Sequence, residues 1–231
     1  MLLVRAADIP EYVQDGVVDC GITGRDLVRE RGARVEELVP LGFGSCRLDV
    51  AVLEDSPVER IDELAGASVA TVYPRLVREL LPVQVERVDV TGSVEIAPRL
   101  GLADAIVDLV SSGNTLRTNG LRSIATLLES QAVLIAGADA DREATRFAGM
   151  LRAVVEARRH RYLMLNAPES ALEAIGALVH PRVPSVLPLS EPGMVAVHVL
   201  VPSADVWRLL PELEAAGASS ILIVPVERMA A

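Results

Sequence analysis

An acid set in an apolar run and followed at once by small polar residues is suited to holding a phosphorylated sugar. The stretch Asp108-Leu109-Val110-Ser111-Ser112-Gly113-Asn114-Thr115-Leu116 has that order. Ala105 to Val110 reads as a strand, the cluster after it as a tight turn, and Thr115 as a helix start. Backbone N–H groups in such a turn converge on one concavity, and a following helix adds positive potential. A phosphate monoester fits there, with Ser111, Ser112, Gly113, Asn114 and Thr115 as its candidate ligands. Asp108 would accept hydrogen bonds from sugar hydroxyls, because a carboxylate in so apolar a run is costly unless it is hydrogen-bonded. The same small residues also suit an ordinary strand–loop–helix connection.

Further candidates carry weaker signals. Glu95 fits either a first-turn acid at a helix start or a carboxylate facing a ribose or its metal. Thr23, Gly24 and Asp26 follow an apolar run and could approach a nucleotide, although Thr23 equally suits a helix cap and Asp26 a first-turn charge. Thr71 would line a second lobe. Asp104 reads as a solvated turn acid. His160 lies in the basic run Arg158 to Arg161 and reads as solvated, and His198 as facing out of a strand. None of the histidines has metal-ligand spacing.

Composition excludes several chemistries. The 231 residues include no lysine, so all 22 basic residues are arginine. That removes a P-loop lysine, a Schiff-base lysine and a lysine general base. A net charge of −10 argues against nucleic acid as a partner. Cys20 and Cys46 do not make a disulfide framework; Cys20 reads as a buried small hydrophobe. No apolar run reaches membrane-spanning length and no signal peptide is evident, so a cytoplasmic enzyme is expected.

The elements that must position these residues alternate between strand and helix, the pattern of a parallel α/β sheet. Short helices are expected over Ile9–Val13, Asp26–Arg31, Ile61–Ala65, Pro74–Leu81 and Val94–Leu100. Strands are expected over Val17–Ile22, Leu38–Phe43, Leu48–Leu53, Ser68–Val72, Val83–Val90 and Ala105–Val110. Extended segments follow over Ile124–Ser130 and Ala132–Ile135. Phe147, Met150, Leu151, Val154 and Val155 recur at helical spacing and predict a long helix over Arg142–Arg158. Beyond it the order becomes β-α-β-β-α-β, with Ser203 a candidate N-cap and Gly217 a helix stop.

The block Gly92 to Asp108 leading into the turn, together with Gly21-Ile22-Thr23-Gly24-Arg25-Asp26-Leu27, resembles ATP phosphoribosyltransferase, the first enzyme of histidine biosynthesis. Arg5-Ala6-Ala7-Asp8-Ile9-Pro10, Ala70-Thr71-Val72-Tyr73-Pro74, Tyr162 to Pro168 and Gly217 to Leu222 extend the likeness along the chain. The tail is similar to that of the long form. The family's usual opening segment, a first strand and a basic loop, has no counterpart here.

The resemblance implies an α/β fold: a two-lobed, type II periplasmic-binding-protein-like catalytic core followed by a ferredoxin-like, ACT-like βαββαβ domain. The first lobe would be discontinuous and N-terminally truncated, over 1–45 and 118–157, the second over 46–117, and a regulatory domain over 158–231. The implied reaction joins ATP to 5-phosphoribosyl 1-pyrophosphate with Mg²⁺ as cofactor and no protein metal site. Asp108 and Glu95 would be catalytic. Ser111 to Thr115, Thr23, Gly24, Asp26 and Thr71 would bind substrate. Histidine would act as allosteric inhibitor through Asn166, Ser185 and Ser220, in a homo-oligomer of two to six chains. The alternative is a catalytically impaired or truncated homologue acting as a ligand-binding or regulatory subunit.

Overall fold

The computed structural model describes residues 1–138 and 142–229; the last two positions of the expected regulatory domain lie outside the described residues. The chain divides into two compact units, Met1–Ala148 and Gly149–Ala231.

In the first unit, Pro10 opens α1 (Ile9–Gln14), a position where a missing N–H is harmless. β1 (Cys20–Gly24) leads into α2 (Arg25–Arg31), which stops at Gly32 in the left-handed region that glycine tolerates. After β2 (Glu36–Pro40) come β3 (Cys46–Leu53), β4 (Ser68–Thr71), α3 (Pro74–Leu80), β5 (Glu86–Asp89) and β6 (Ala105–Val110). The short α4 (Asn114–Thr118), β7 (Leu121–Ser130) and β8 (Ala132–Ala136) follow, and the long α5 (Arg142–Arg158) spans the boundary at Ala148 and Gly149.

Two sheets result. β1-β8-β2 is antiparallel throughout. The second has the order β5-β4-β6-β3-β7, and only β5, β4 and β6 run parallel. The expected all-parallel sheet is therefore a mixed one: β3 enters from the first sheet and lies antiparallel between β6 and β7. β7 pairs with β3 along its length, so residues 121–130 belong to the second sheet, although 118–157 was expected to return to the first lobe.

β3 and β6 are covered on both faces. Leu48, Val50, Val52, Ala105 and Val107 pack one side with Leu64 and Leu76; Ala51, Ile106 and Val110 pack the other with Leu116 and Leu121. Strands buried on both faces read as continuous apolar runs, which is why their single acids stand out. The helix expected over Val94–Leu100 is two separate 3₁₀ turns, Val94–Ile96 and Pro98–Leu100, because Pro98 interrupts it.

The second unit contains β9 (His160–Pro168), α6 (Leu172–Val179), β10 (Ser185–Pro188), β11 (Met194–Pro202), α7 (Val206–Ala215) and β12 (Ser219–Pro225). The antiparallel order β10-β11-β9-β12 is the expected ferredoxin-like arrangement. Alternate residues Leu163, Leu165, Val197 and Val199 meet Ile175, Leu209 and Leu213 in its core.

Three local expectations are corrected. Gly24, not Thr23, occupies the N-cap of α2. Ser203 opens a 3₁₀ turn and its hydroxyl donates to Arg158 O at 3.0 Å, so it does not cap α7. His160 is buried, with Nδ1 3.0 Å from Glu156 O and Nε2 3.3 Å from an Arg182 nitrogen, and is not a solvated member of a basic run.

Candidate active site

β6 ends at Val110 and delivers Ser111 to the surface. The turn Ser111–Thr115 is accessible, with Gly113 alone half-buried. Gly113 adopts φ +73°, a conformation that L side chains rarely take, and forms the N-cap of α4. The backbone N–H groups of Ser112, Gly113 and Thr115 take no intramolecular partner among the described residues. Free N–H groups on an exposed turn are what an anion needs. α4 has only five residues, so the unpaired turn N–H groups rather than a helix dipole supply the potential. Arg117 reaches back to Asn114 Oδ1 and places a guanidinium beside the turn.

Asp108 lies two residues before the strand ends. Burial pushes its carboxyl above the ordinary value of 3.8; the Leu109 N–H, donating at 2.8 Å, opposes this, and the charge of Glu95 adds to it. Glu95 and Asp108 thus lie close enough for their charges to interact. Leu109 N–H is the only donor to Asp108 among the described residues, and this acid is short of partners.

Other expected ligands are structural. Thr23 is buried and its hydroxyl donates to Ala6 O at 2.7 Å. Thr71 is fully buried; its hydroxyl donates to Val107 O and accepts from Tyr73 N–H, and none of it is exposed to a substrate. Asp26 is buried between Ser130 Oγ at 2.6 Å and Tyr73 Oη at 3.2 Å. Gly24 leaves room for that carboxylate: a Cβ there would collide with Asp26 Oδ1. Burial and the charges of Asp26, Asp108 and Cys46 push the Tyr73 phenol far up, so it stays a donor. Burial first, and then Asp26, raise the half-buried Cys46 thiol, the opposite of what a nucleophilic thiolate requires. Cys20 is also half-buried, not fully so.

Sequence reasoning missed three features. Asp49 is fully buried on β3, opposite Asp108, and receives Thr126 Oγ1 at 2.6 Å, Ser123 Oγ at 3.0 Å and Arg47 at 3.3 Å. Its signal was available: it is an acid in the apolar run Leu48–Leu53, as Asp108 is in its own. Glu30 accepts the Arg75 and Leu76 N–H groups at 2.9 and 2.8 Å and closes the start of α3. Tyr73, given no site role from the sequence, is the partner of Asp26. Glu30 and Tyr73 act through tertiary contacts that no local spacing reveals.

In the second unit, Asn166 lies beside Ser219 and Ser220, the latter at φ +51° in an irregularity of β12. Ser185 stands on β10 opposite His198, at the other edge of the sheet. One chain therefore does not bring the three expected effector residues together.

A model of the ATP phosphoribosyltransferase family matches residues 5–156, and a model of its C-terminal domain matches residues 157–228. Among similar proteins, the ATP phosphoribosyltransferase of Halobacterium salinarum is 44% identical over 237 residues, covering 99% of this chain and 84% of the relative. That of Methanocella arvoryzae is 42% identical over 238 residues, with the same coverage. Among solved structures, an ATP phosphoribosyl transferase (HisG:HisZ) complex from Thermotoga maritima aligns with TM-score 0.60 and 25% identity, over 67% of this chain and 79% of that one. A structure of Tv2483 bound to L-arginine shares the fold at TM-score 0.51 and 19% identity, over 65% of each chain. The first unit thus has the type II periplasmic-binding-protein-like architecture.

The environment of Asp108 has a measurable consequence. The folded chain holds this proton to higher pH than the unfolded one, so stability falls as pH rises from 3.8 through the raised value. Asp108→Asn removes that loss. The variant is expected to melt above the parent at pH 7, with the difference shrinking toward pH 3 in thermal unfolding followed by circular dichroism. A pH-independent difference would contradict the assignment.

Proposed function

The chain belongs to the ATP phosphoribosyltransferase family, and from that premise we propose that it joins ATP to 5-phosphoribosyl 1-pyrophosphate, releasing pyrophosphate and forming N1-(5-phosphoribosyl)-ATP at the first step of histidine biosynthesis. The observation that carries this reading at the level of the site is the pairing of an anion-receptive turn with an under-coordinated carboxylate on the same strand. Ser111 to Thr115 receive the 5-phosphate, and Asp108 meets the ribose hydroxyls, with Glu95 beside it.

The reaction asks little covalent chemistry of the protein. Adenine N1 attacks C1 of the ribose as the bond from C1 to pyrophosphate breaks, and C1 becomes cation-like between the two events. Holding the sugar by its phosphate orients C1, and a buried carboxylate near it favours the developing charge. The low-dielectric surroundings that raise the proton affinity of Asp108 also strengthen that attraction.

Mg²⁺ fits this site as a substrate-borne ion. Among the described residues no cluster of three His, Cys, Asp or Glu side chains is placed to hold a metal. Asp108 and Glu95 are the carboxylates available to it, and Mg²⁺ commonly keeps waters and substrate oxygens as its other ligands. When bound it would neutralise the departing pyrophosphate.

Histidine feedback and homo-oligomerisation belong to the same proposal. Asn166 and Ser220 stand on one side of the small sheet and Ser185 on the other edge, so a pocket using all three needs a second chain. Edge strand β12 exposes Leu222, Ile223 and Val224, which suits such a contact. No helix among the described residues is long and apolar enough to cross a membrane, and a cytoplasmic setting fits Cys20 and Cys46, neither of which is in a disulfide.

Two outcomes are expected. In Gly113→Val a β-branched residue would be forced to φ near +73°, reshaping the turn. Its dissociation constant for 5-phosphoribosyl 1-pyrophosphate should rise at least tenfold, about 1.4 kcal/mol, by calorimetry; unchanged binding in a folded variant would refute the turn's role. Deleting residues 162–231 should retain binding of that substrate, abolish inhibition by histidine and lower the mass seen by light scattering. Inhibition surviving the deletion would place the effector site in the first unit.

A further inference from the structure

We propose that His160 is a proton-operated tie in the small sheet domain. As a neutral ring it holds Arg182, and with it the segment between α6 and β10; on gaining a proton it exchanges Arg182 for the carboxylate of Glu156. All the residues concerned belong to the second unit.

The ring sits where α5 ends and β9 begins. His160 is buried, and each of its nitrogens meets a partner of fixed character. Nδ1 lies 3.0 Å from Glu156 O, a carbonyl in the last turn of α5, which can only accept. Nε2 lies 3.3 Å from Arg182 Nη2, and a guanidinium can only donate. One form of the ring satisfies both contacts at once: neutral, with its proton on Nδ1. In the imidazolium both nitrogens carry protons. The Nε2 proton would then point at Arg182, and two positive groups would meet at hydrogen-bond distance in a place with little water.

A second partner is already in place for the charged ring. Glu156 Oε1 stands 3.5 Å from Nδ1. The charged groups around the ring are therefore of both signs. Glu156 and the C-terminal end of α5 favour the imidazolium. Arg182 opposes it, and Arg159, 3.9 Å from Glu156, draws on the same carboxylate. Arg161, the next residue of β9, adds positive charge while donating to the carbonyls of Arg158 and His160 and to Ser203 Oγ. Pro202 faces His160 from β11 and brings no charge. Gain of a proton thus breaks one contact and strengthens another, and two alternative sets of partners are what a switch requires.

The far end of the tie is lightly held. Among the described residues, the segment from His180 to Pro184 is fixed by Arg182, whose N–H donates to Val179 O at 3.0 Å and whose guanidinium donates to His160. Val183 beside it is exposed. The segment feeds β10, an edge strand on which Val186 and Leu187 are exposed. Release of Arg182 therefore loosens the approach to a sheet edge and leaves the core of the domain packed, as local openings do.

Two readouts on the full chain test the tie at about pH 8 and about pH 5, the span over which histidine ordinarily changes charge. Ring ¹⁵N spectra of histidine-labelled chain are expected to place the His160 proton on Nδ1 at the higher pH; a proton on Nε2 there would overturn the proposal. Amide hydrogen exchange at Arg182 and Val183, corrected for the intrinsic effect of pH, is expected to lose about tenfold in protection at the lower pH. His160→Gln keeps a donor and an acceptor and takes up no proton, so its protection should stay level between the two. Arg182→Ala removes the tie and should show low protection at both; it carries the comparison should His160→Gln not fold. Protection in the parent that does not change with pH would overturn the proposal. So would an equal loss at low pH in either folded variant, which would place the titrating group elsewhere.

Discussion

The antiparallel register of β3 against β6 is the constraint on which the site depends. It places β3 in the middle of the five-stranded sheet, between β6 and β7, and buries both of its faces. Because β3 starts where β6 ends, the residues entering from the first sheet arrive beside the turn at Ser111. A slip by one residue would turn Arg47 and Asp49 to the opposite face and drive Leu48 and Val50 out of their core. Packing of the apolar residues thus fixes where the polar ones stand.

Three aspartates are buried or half-buried around this sheet, and they are treated differently. Asp49 is satisfied by two hydroxyls and an arginine, and Asp26 by Ser130 and Tyr73. Both are structural acids, one anchoring Arg47 and the other tying β7 and the start of α3 to α2. Asp108 has only the next residue's N–H and lies under the charge of Glu95. A protein rarely leaves a half-buried acid short of donors unless something else completes it. That contrast separates a ligand-facing acid from two acids that hold the walls around it.

Much of this was legible in the chain. Ala105–Val110 and Arg142–Arg158 have the limits that their apolar spacing implies, because a doubly buried strand and an amphipathic helix write their burial into the sequence. The βαββαβ tail was legible for the same reason. The direction of β3 was not: an apolar run reports burial and is silent on which neighbour it pairs with. Thr23, Asp26 and Thr71 looked ligand-facing because small polar residues at strand ends serve turns, buried cross-links and substrates alike. Their partners, Ala6, Ser130, Tyr73 and Val107, come from distant segments, and only the tertiary structure tells these roles apart.

The central claim is that Asp108 serves the transition state and not the fold. Steady-state turnover of Asp108→Asn with ATP and 5-phosphoribosyl 1-pyrophosphate, set beside donor affinity for the same variant, tests it most directly. The account predicts turnover lower by ~10²-fold, as when other electrostatic groups are removed, with donor binding changed far less. Turnover equal to that of the parent chain would contradict it.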